Sequence, residues 1–223
     1  MTFVFFHVGP DLDMPARMVA SLLAHNPRAE VVQVTDHDTP TVPGVTWTAP
    51  TEGDRRFLML WRTQAFAGLG LTDPAMFLDT DMVINKPLDP ENLLGVAQIA
   101  VCRRSFNRDA MFNVRQRGQE YTEHAGKTLD EAYPYVGCVT ICTSGTWEAM
   151  AERYEQLPDK FKAWYGDQEV LRDYVDSLPG AWVQYLPESE YACLPEYLHQ
   201  FPKPAITHYK GHRKALLNGH ALA

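Results

Sequence analysis

Asp79 and Asp81 stand one residue apart at the end of an unbroken apolar run, Ala75-Met76-Phe77-Leu78. Side chains two positions apart on a strand point to the same side, so both carboxylates can reach one cation. The chemistry this predicts is a metal site for a phosphorylated donor. Two other Asp-x-Asp pairs occur, Asp11-Leu12-Asp13 and Asp36-His37-Asp38. For these a helix cap at Asp13 and a strand-end turn at Asp36 are the better readings, because Asp favours both positions. Near the C-terminal end, His208-x-x-Gly211-x-x-Lys214 supplies a metal-capable imidazole, a residue that lets backbone approach closely, and a cation. These are the parts needed around a diphosphate. Asp167, within Gly166-Asp167-Gln168, reads equally as a helix N-cap and as a functional acid.

Positioning these residues requires a particular architecture. A continuous apolar run suits a strand buried on both faces, as in a parallel sheet covered by helices. Ligands of such open sheets bind beyond the carboxyl ends of the strands, where Asp79 and Asp81 would lie. Thr2 to His7 reads as a first strand, a helix follows from Asp13, and Glu30 to Thr35 reads as a second strand. Strand, helix, strand implies a parallel sheet. His7 and Val8 would form the loop over the first strand's end. No Gly-x-Gly-x-x-Gly and no P-loop is present, so neither phosphate-binding fingerprint applies.

Further along, a short strand is expected at 45–47 and a helix at 54–67 carrying Arg62. Strands are expected at 98–102 and 135–142, a helix through Trp147 and Tyr154, and another opened by Gly166. Short strands are expected at 182–186, 191–194 and 205–207. Residues 103–133 are polar and poorly patterned, which suggests helical pieces and a mobile loop serving as a lid or acceptor surface.

The bulk properties set limits. The chain has 223 residues, 45% hydrophobic and 22% charged, as in an ordinary folded domain. A net charge of −8 disfavours a broad nucleic-acid surface. Cys102, Cys138, Cys142 and Cys193 show no Cys-x-x-Cys spacing and read as reduced, buried residues of a cytoplasmic protein. No apolar run approaches the ~20 residues of a membrane helix, no signal peptide is evident, and little chain follows Lys214 to dock at a membrane.

Taken in order, the motifs resemble the retaining GT-A glycosyltransferases, the group that holds glycogenin and the bacterial lipooligosaccharide galactosyltransferases. The resemblance rests on the apolar first strand, the Arg62 helix and Phe77-Leu78-Asp79-Thr80-Asp81. It continues through Tyr135-x-Gly137-x-Val139, Gly166-Asp167-Gln168 and His208-Tyr209-x-Gly211-x-x-Lys214. It implies an α/β fold with a mostly parallel, Rossmann-like central sheet flanked by helices in a single domain. Residues 1–102 would form a nucleotide-binding half and 103–223 an acceptor and sugar half.

The resemblance also implies site roles. Asp79, Asp81 and His208 would hold Mn²⁺ or Mg²⁺. Thr80, Gly211 and Lys214 would contact the donor and its phosphates, and Arg62 would brace the sugar or the carboxylates. Asp167 and Gln168 would act near the anomeric carbon, and His7 and Val8 would lie against the base. The donor would be a nucleotide sugar, UDP-glucose or UDP-galactose. The acceptor is open among saccharide, protein, lipid-linked and nucleic-acid classes. The chain departs from the pattern in Val136-Gly137-Cys138, where relatives carry Asn-Ala-Gly. It also has Arg103-Arg104 where relatives often carry an acid, and Ala215 after Lys214. Two other readings stand beside this one. A haloacid-dehalogenase-type phosphatase would use Asp79 as nucleophile and Asp81 as acid/base. A non-catalytic nucleotide-sugar-binding module would keep the fold alone.

Overall fold

A computed structural model describes residues 1–217; the last stretch of the expected domain, 218–223, lies outside the described residues. The first half runs β1 (Thr2–Phe6), α1 (Asp13–His25), β2 (Glu30–Thr35), β3 (Trp47–Pro50), α2 (Leu58–Ala67), β4 (Ala75–Leu78), β5 (Met82–Ile84), α3 (Pro90–Leu94) and β6 (Ile99–Arg103). The second half runs β7 (Arg115–Gln116), β8 (Gln119–Glu120), α4 (Leu129–Ala132), β9 (Tyr135–Cys142), α5 (Ser144–Glu155), α6 (Asp159–Ala163), α7 (Gly166–Ser177), β10 (Val183–Pro187), α8 (Glu188–Tyr191), β11 (Ile206–His208) and α9 (Lys214–Leu217).

Seven strands form the central sheet in the order β10-β6-β9-β4-β1-β2-β3. All neighbours are parallel except β9, which runs antiparallel to both β4 and β6. The apolar run of β4 is explained by its two faces. Met76 and Leu78 enter the core on the side of α1, while Ala75 and Phe77 enter the core on the side of α2, α5 and α7. None of the four exceeds 4% exposure. Phe77 packs edge-on against Trp147 and also contacts Phe66, so Phe77→Ala would leave a cavity costing about 3–5 kcal/mol.

The chain leaves this sheet at Asp79, turns, and enters a separate two-stranded ribbon in which β5 pairs antiparallel with β11. The register sets His208 opposite Met82, and the Tyr209 amide donates to the Asp81 carbonyl at 2.8 Å. Sequence-distant residues are thereby brought beside the second carboxylate.

Several expectations are corrected. Asp13 is not the cap of α1; the Asp11 carboxylate accepts the Asp13 amide at 3.1 Å. Asp167 is not an N-cap either. Tyr165 holds that position, in a left-handed conformation, and no side chain caps the helix. The short strand expected at 45–47 begins at Trp47, because Val45 is used in a turn back to Val42. Residues 191–194 do not form a strand: Glu188–Tyr191 is helical, and Cys193 makes a single bridge to Thr207. The segment expected as a mobile loop is packed around its own core of Phe112, Tyr121, Tyr133 and Phe161. Asp36 is a strand-end turn as expected, accepting the Thr39 amide at 2.8 Å. All four cysteines are free and buried.

Candidate metal and nucleotide-sugar site

The carboxyl end of β4 lies beside that of β1, since the two strands run parallel. Asp79 continues the sheet for one more residue, its amide donating to the Cys138 carbonyl at 3.0 Å. Its carboxylate is 32% exposed. Asp81 is nearly enclosed, at 6% exposure, and His208 is enclosed at 3%. Ligating atoms of Asp79, Asp81 and His208 all lie within 4.8 Å of one another.

Hydrogen-bond accounting within this cluster is incomplete in a telling way. Asp81 Oδ1 is buried without a hydrogen-bond partner, and so are both ring nitrogens of His208. His208 Nε2 stands 3.3 Å from Asp81 Oδ1, but not at an angle that makes a hydrogen bond. Burying polar atoms without partners is costly, and a ligand shared by these three side chains would satisfy them. Two carboxylates and one imidazole suit a divalent Mn²⁺ or Mg²⁺ ion, and the residues present fit it.

Two cations flank the pair. Lys214 Nζ lies 3.1 Å from Asp81 Oδ2. Arg62, from α2, donates to Asp79 Oδ1 at 2.8 Å and to Asp167 Oδ2 at 2.9 Å. Burial raises the Asp79 carboxyl above its ordinary value, Arg62 works against this, and Asp81 and Asp167 add to it by repulsion. Burial also acts to raise Asp81, but His208 and Lys214 outweigh it and hold that carboxyl well below the usual range. The site therefore pushes its two carboxylates apart in basicity.

The other expected residues fall around the same sheet edge. His7 follows β1, is half-buried and has an unpartnered Nε2; burial pushes its imidazole below its ordinary value. Val8 packs at the margin of the core beside α2. Thr80 is half-buried between the two carboxylates. Gly211 adopts φ +66°, which favours glycine, and opens the turn that delivers Lys214. Gln168 lies over β9: a Cβ on Gly137 would stand 2.9 Å from its Nε2. Two cavities of about 540 Å³ lie elsewhere, one behind the β5–β11 ribbon and one beside α3 and β10; neither is lined by the three candidate ligands.

Sequence reading placed Arg62 on its helix but did not find its double partnership, which only the fold creates. It noted Arg103-Arg104 as a departure from the relatives' pattern without giving Arg104 a role, and it did not single out Lys210. Two adjacent arginines at a strand's carboxyl end were the available signal.

No family model matches the chain, and no curated protein is similar to it in sequence. Solved structures are similar in fold. The galactosyltransferase LgtC, solved with donor and acceptor sugar analogues, is 17% identical, with 100% of this chain and 97% of that one covered at a TM-score of 0.58. A glycosyltransferase involved in glycosylating the major capsid of PBCV-1 is 12% identical, with 98% of both chains covered at 0.61. The bifunctional glycosyltransferase WbbM is 15% identical at 0.60, and there this chain spans only 46% of the other. The phosphatase alternative places its signature on a first strand, whereas here it follows β4. Among the described residues no helix is long and apolar enough to cross a membrane. The chain has the GT-A glycosyltransferase fold.

Proposed function

We propose that this protein is a divalent-metal-dependent glycosyltransferase that moves a hexose from a UDP-linked donor to an acceptor, with retention at the anomeric carbon. The observation that carries the reading is the enclosed His208 imidazole, unpartnered at both nitrogens, facing Asp79 and Asp81 across a gap suited to one cation. The GT-A fold and the solution of LgtC with donor and acceptor sugar analogues support a nucleotide-sugar donor and a sugar acceptor.

Asp79, Asp81 and His208 would hold Mn²⁺ or Mg²⁺. When bound, that ion supplies Lewis-acid stabilisation of the departing diphosphate. Lys214 exchanges its contact with Asp81 for a donor phosphate oxygen. The backbone at Gly211, free of a side chain, approaches the same diphosphate. Thr80 faces the donor between the two carboxylates. His7 and Val8 lie under the base at the end of β1.

Arg62 fixes the carboxylates of Asp79 and Asp167 at a set separation, which orients the start of α7. Gln168, resting on Gly137, then presents its amide to the sugar ring beside the anomeric carbon. Residues 1–102 act as the nucleotide-binding half and the remainder as the half that receives the sugar and the acceptor. The test is UDP release from UDP-sugars in Mn²⁺. Release that disappears with chelator and in Asp81→Ala supports the reading. Phosphate release from a generic aryl phosphate, with no UDP-sugar turnover, would replace it with a phosphatase.

A further inference from the structure

Arg104 directly follows β6, two strand positions from β4 in the sheet order. That offset is about 10 Å at ordinary strand spacing. The Arg104 amide donates to the Pro134 carbonyl at 2.8 Å, and Nε donates to the Tyr133 carbonyl at 2.7 Å. These bonds fix the base of the guanidinium and leave both terminal amino groups without an ion pair or hydrogen bond among the described residues.

The acids within electrostatic reach of Arg104 are Glu188 and Asp130. Each has one oxygen engaged elsewhere, while Glu188 Oε1 and Asp130 Oδ1 are buried without a hydrogen-bond partner and do not reach the Arg104 fork. Glu188 Oε2 accepts the Ser105 and Phe106 amides at 2.6 and 2.7 Å. Asp130 pairs with Arg108 at 2.8 Å. Arg104 is half-buried, burial pushes its guanidinium below its ordinary value while Glu188 and Asp130 act against this, and no carboxylate meets it at contact distance among the described residues.

Lys210 is a second such cation. It is half-buried, two residues past His208, and makes no ion pair among the described residues. Its charge reaches Cys102 and Cys138. Arg104 also reaches Cys138, and Cys138 is the residue whose carbonyl takes the Asp79 amide. Two cations without an ion pair among the described residues thus converge on Cys138 of β9, in a chain of net charge −8. Tyr165, at the start of α7, lies in the same neighbourhood. A planar guanidinium with its fork free is the side chain suited to receiving a carboxylate in two parallel hydrogen bonds.

We propose that the transferred sugar carries a carboxylate, as in a hexuronic acid, and that Arg104 and Lys210 receive it. This rests on the donor-site reading above and names the sugar class for it. It also gives the free fork of the half-buried Arg104 a partner.

Calorimetry in Mn²⁺ tests it, with UDP, UDP-glucose, UDP-galactose, UDP-glucuronate and UDP-galacturonate as probes. The wild-type protein is expected to bind one of the two uronates at least about tenfold more tightly than either neutral sugar. Arg104→Met and Lys210→Met are each expected to erase that preference while leaving UDP affinity within about twofold. Lys210→Met removes no hydrogen bond seen in the fold, so it serves if Arg104→Met unfolds. UDP binding with neutral sugars equal to or tighter than uronates would overturn the inference and leave the donor site intact. A preference for neutral donors with faster transfer to acidic than to neutral acceptors would do the same, by placing the anion on the acceptor. Absence of any metal-dependent UDP binding would overturn the underlying reading instead.

Discussion

Arg62 and Asp167 lie 105 positions apart in the chain and meet at 2.9 Å, while the other arm of the same guanidinium holds Asp79 at 2.8 Å. One side chain on α2 thereby ties the end of β4 to the start of α7. The guanidinium side chain is 13% exposed, so the contact is shielded from solvent. Removing it leaves two carboxylates facing one another without a counterion. Arg62→Met is expected to lower the unfolding free energy by about 3 kcal/mol, measured by urea denaturation. Arg62→Lys cannot span both acids and is expected to recover less than half of that. A loss below about 0.5 kcal/mol for Arg62→Met would show that the bridge carries no structural weight.

The opposite shifts of Asp79 and Asp81 give a pH signature. Asp81 is depressed, so its contribution to stability is present above its unfolded value of about 3.9 and is lost as pH falls toward the folded value. Asp79 is raised, so its contribution is present at low pH and is lost as pH rises through its elevated folded value. Without metal, Asp79→Asn should therefore match the wild-type protein in acid and become relatively more stable toward neutrality. Thermal melts of the two proteins from pH 4 to 7.5 in chelator measure the gap. A gap that does not change with pH would contradict the assignment. Mn²⁺ should close it by supplying Asp79 with a counter-charge.

Gly137 is expected to matter for turnover rather than for folding. A Cβ there meets only the flexible end of Gln168 at 2.9 Å and Leu171 Cδ2 at 3.4 Å. Gly137→Ala should cost about 1 kcal/mol or less in stability. It should lower kcat roughly tenfold by displacing the amide, with UDP affinity unchanged. Unchanged kcat would remove Gln168 from the reacting sugar.

Lys214 has exchanged one anion for another in this account. It neutralises Asp81 at 3.1 Å, with its side chain 45% exposed. Lys214→Ala is expected to weaken UDP about tenfold and uridine less than twofold. Equal losses for both ligands would take Lys214 away from the phosphates.

How much of this was legible follows from which contacts are local. The β4 run could be read because both of its faces are apolar, and α1 and α7 because their buried stripes recur at helical spacing. Asp79 and Asp81 could be read from their place at the end of the apolar run, although a bend between β4 and β5, and not strand alternation, brings them together. Asp167 could not be resolved between cap and acid, since the deciding partner is Arg62 on another helix. The packing of residues 103–133 was also hidden. Phe112, Tyr121 and Tyr133 have no common period and are gathered by contacts with one another, with His124, and with Phe161 and Tyr165 further along the sequence. The strand expected at 191–194 failed for a related reason: Cys193 pairs for one residue only, and Leu194 and Cys193 pack with Phe106 instead.

The union of Asp81 with His208 depends on a ribbon register that no short window contains, and it is the claim on which the function rests. Isothermal titration of UDP with and without Mn²⁺, on the wild-type protein and on His208→Ala, tests it most directly. The account predicts that Mn²⁺ tightens UDP binding to the wild type at least about tenfold and that His208→Ala abolishes that difference. Equal affinity for UDP in Mn²⁺ and in chelator, in the folded wild-type protein, would contradict it.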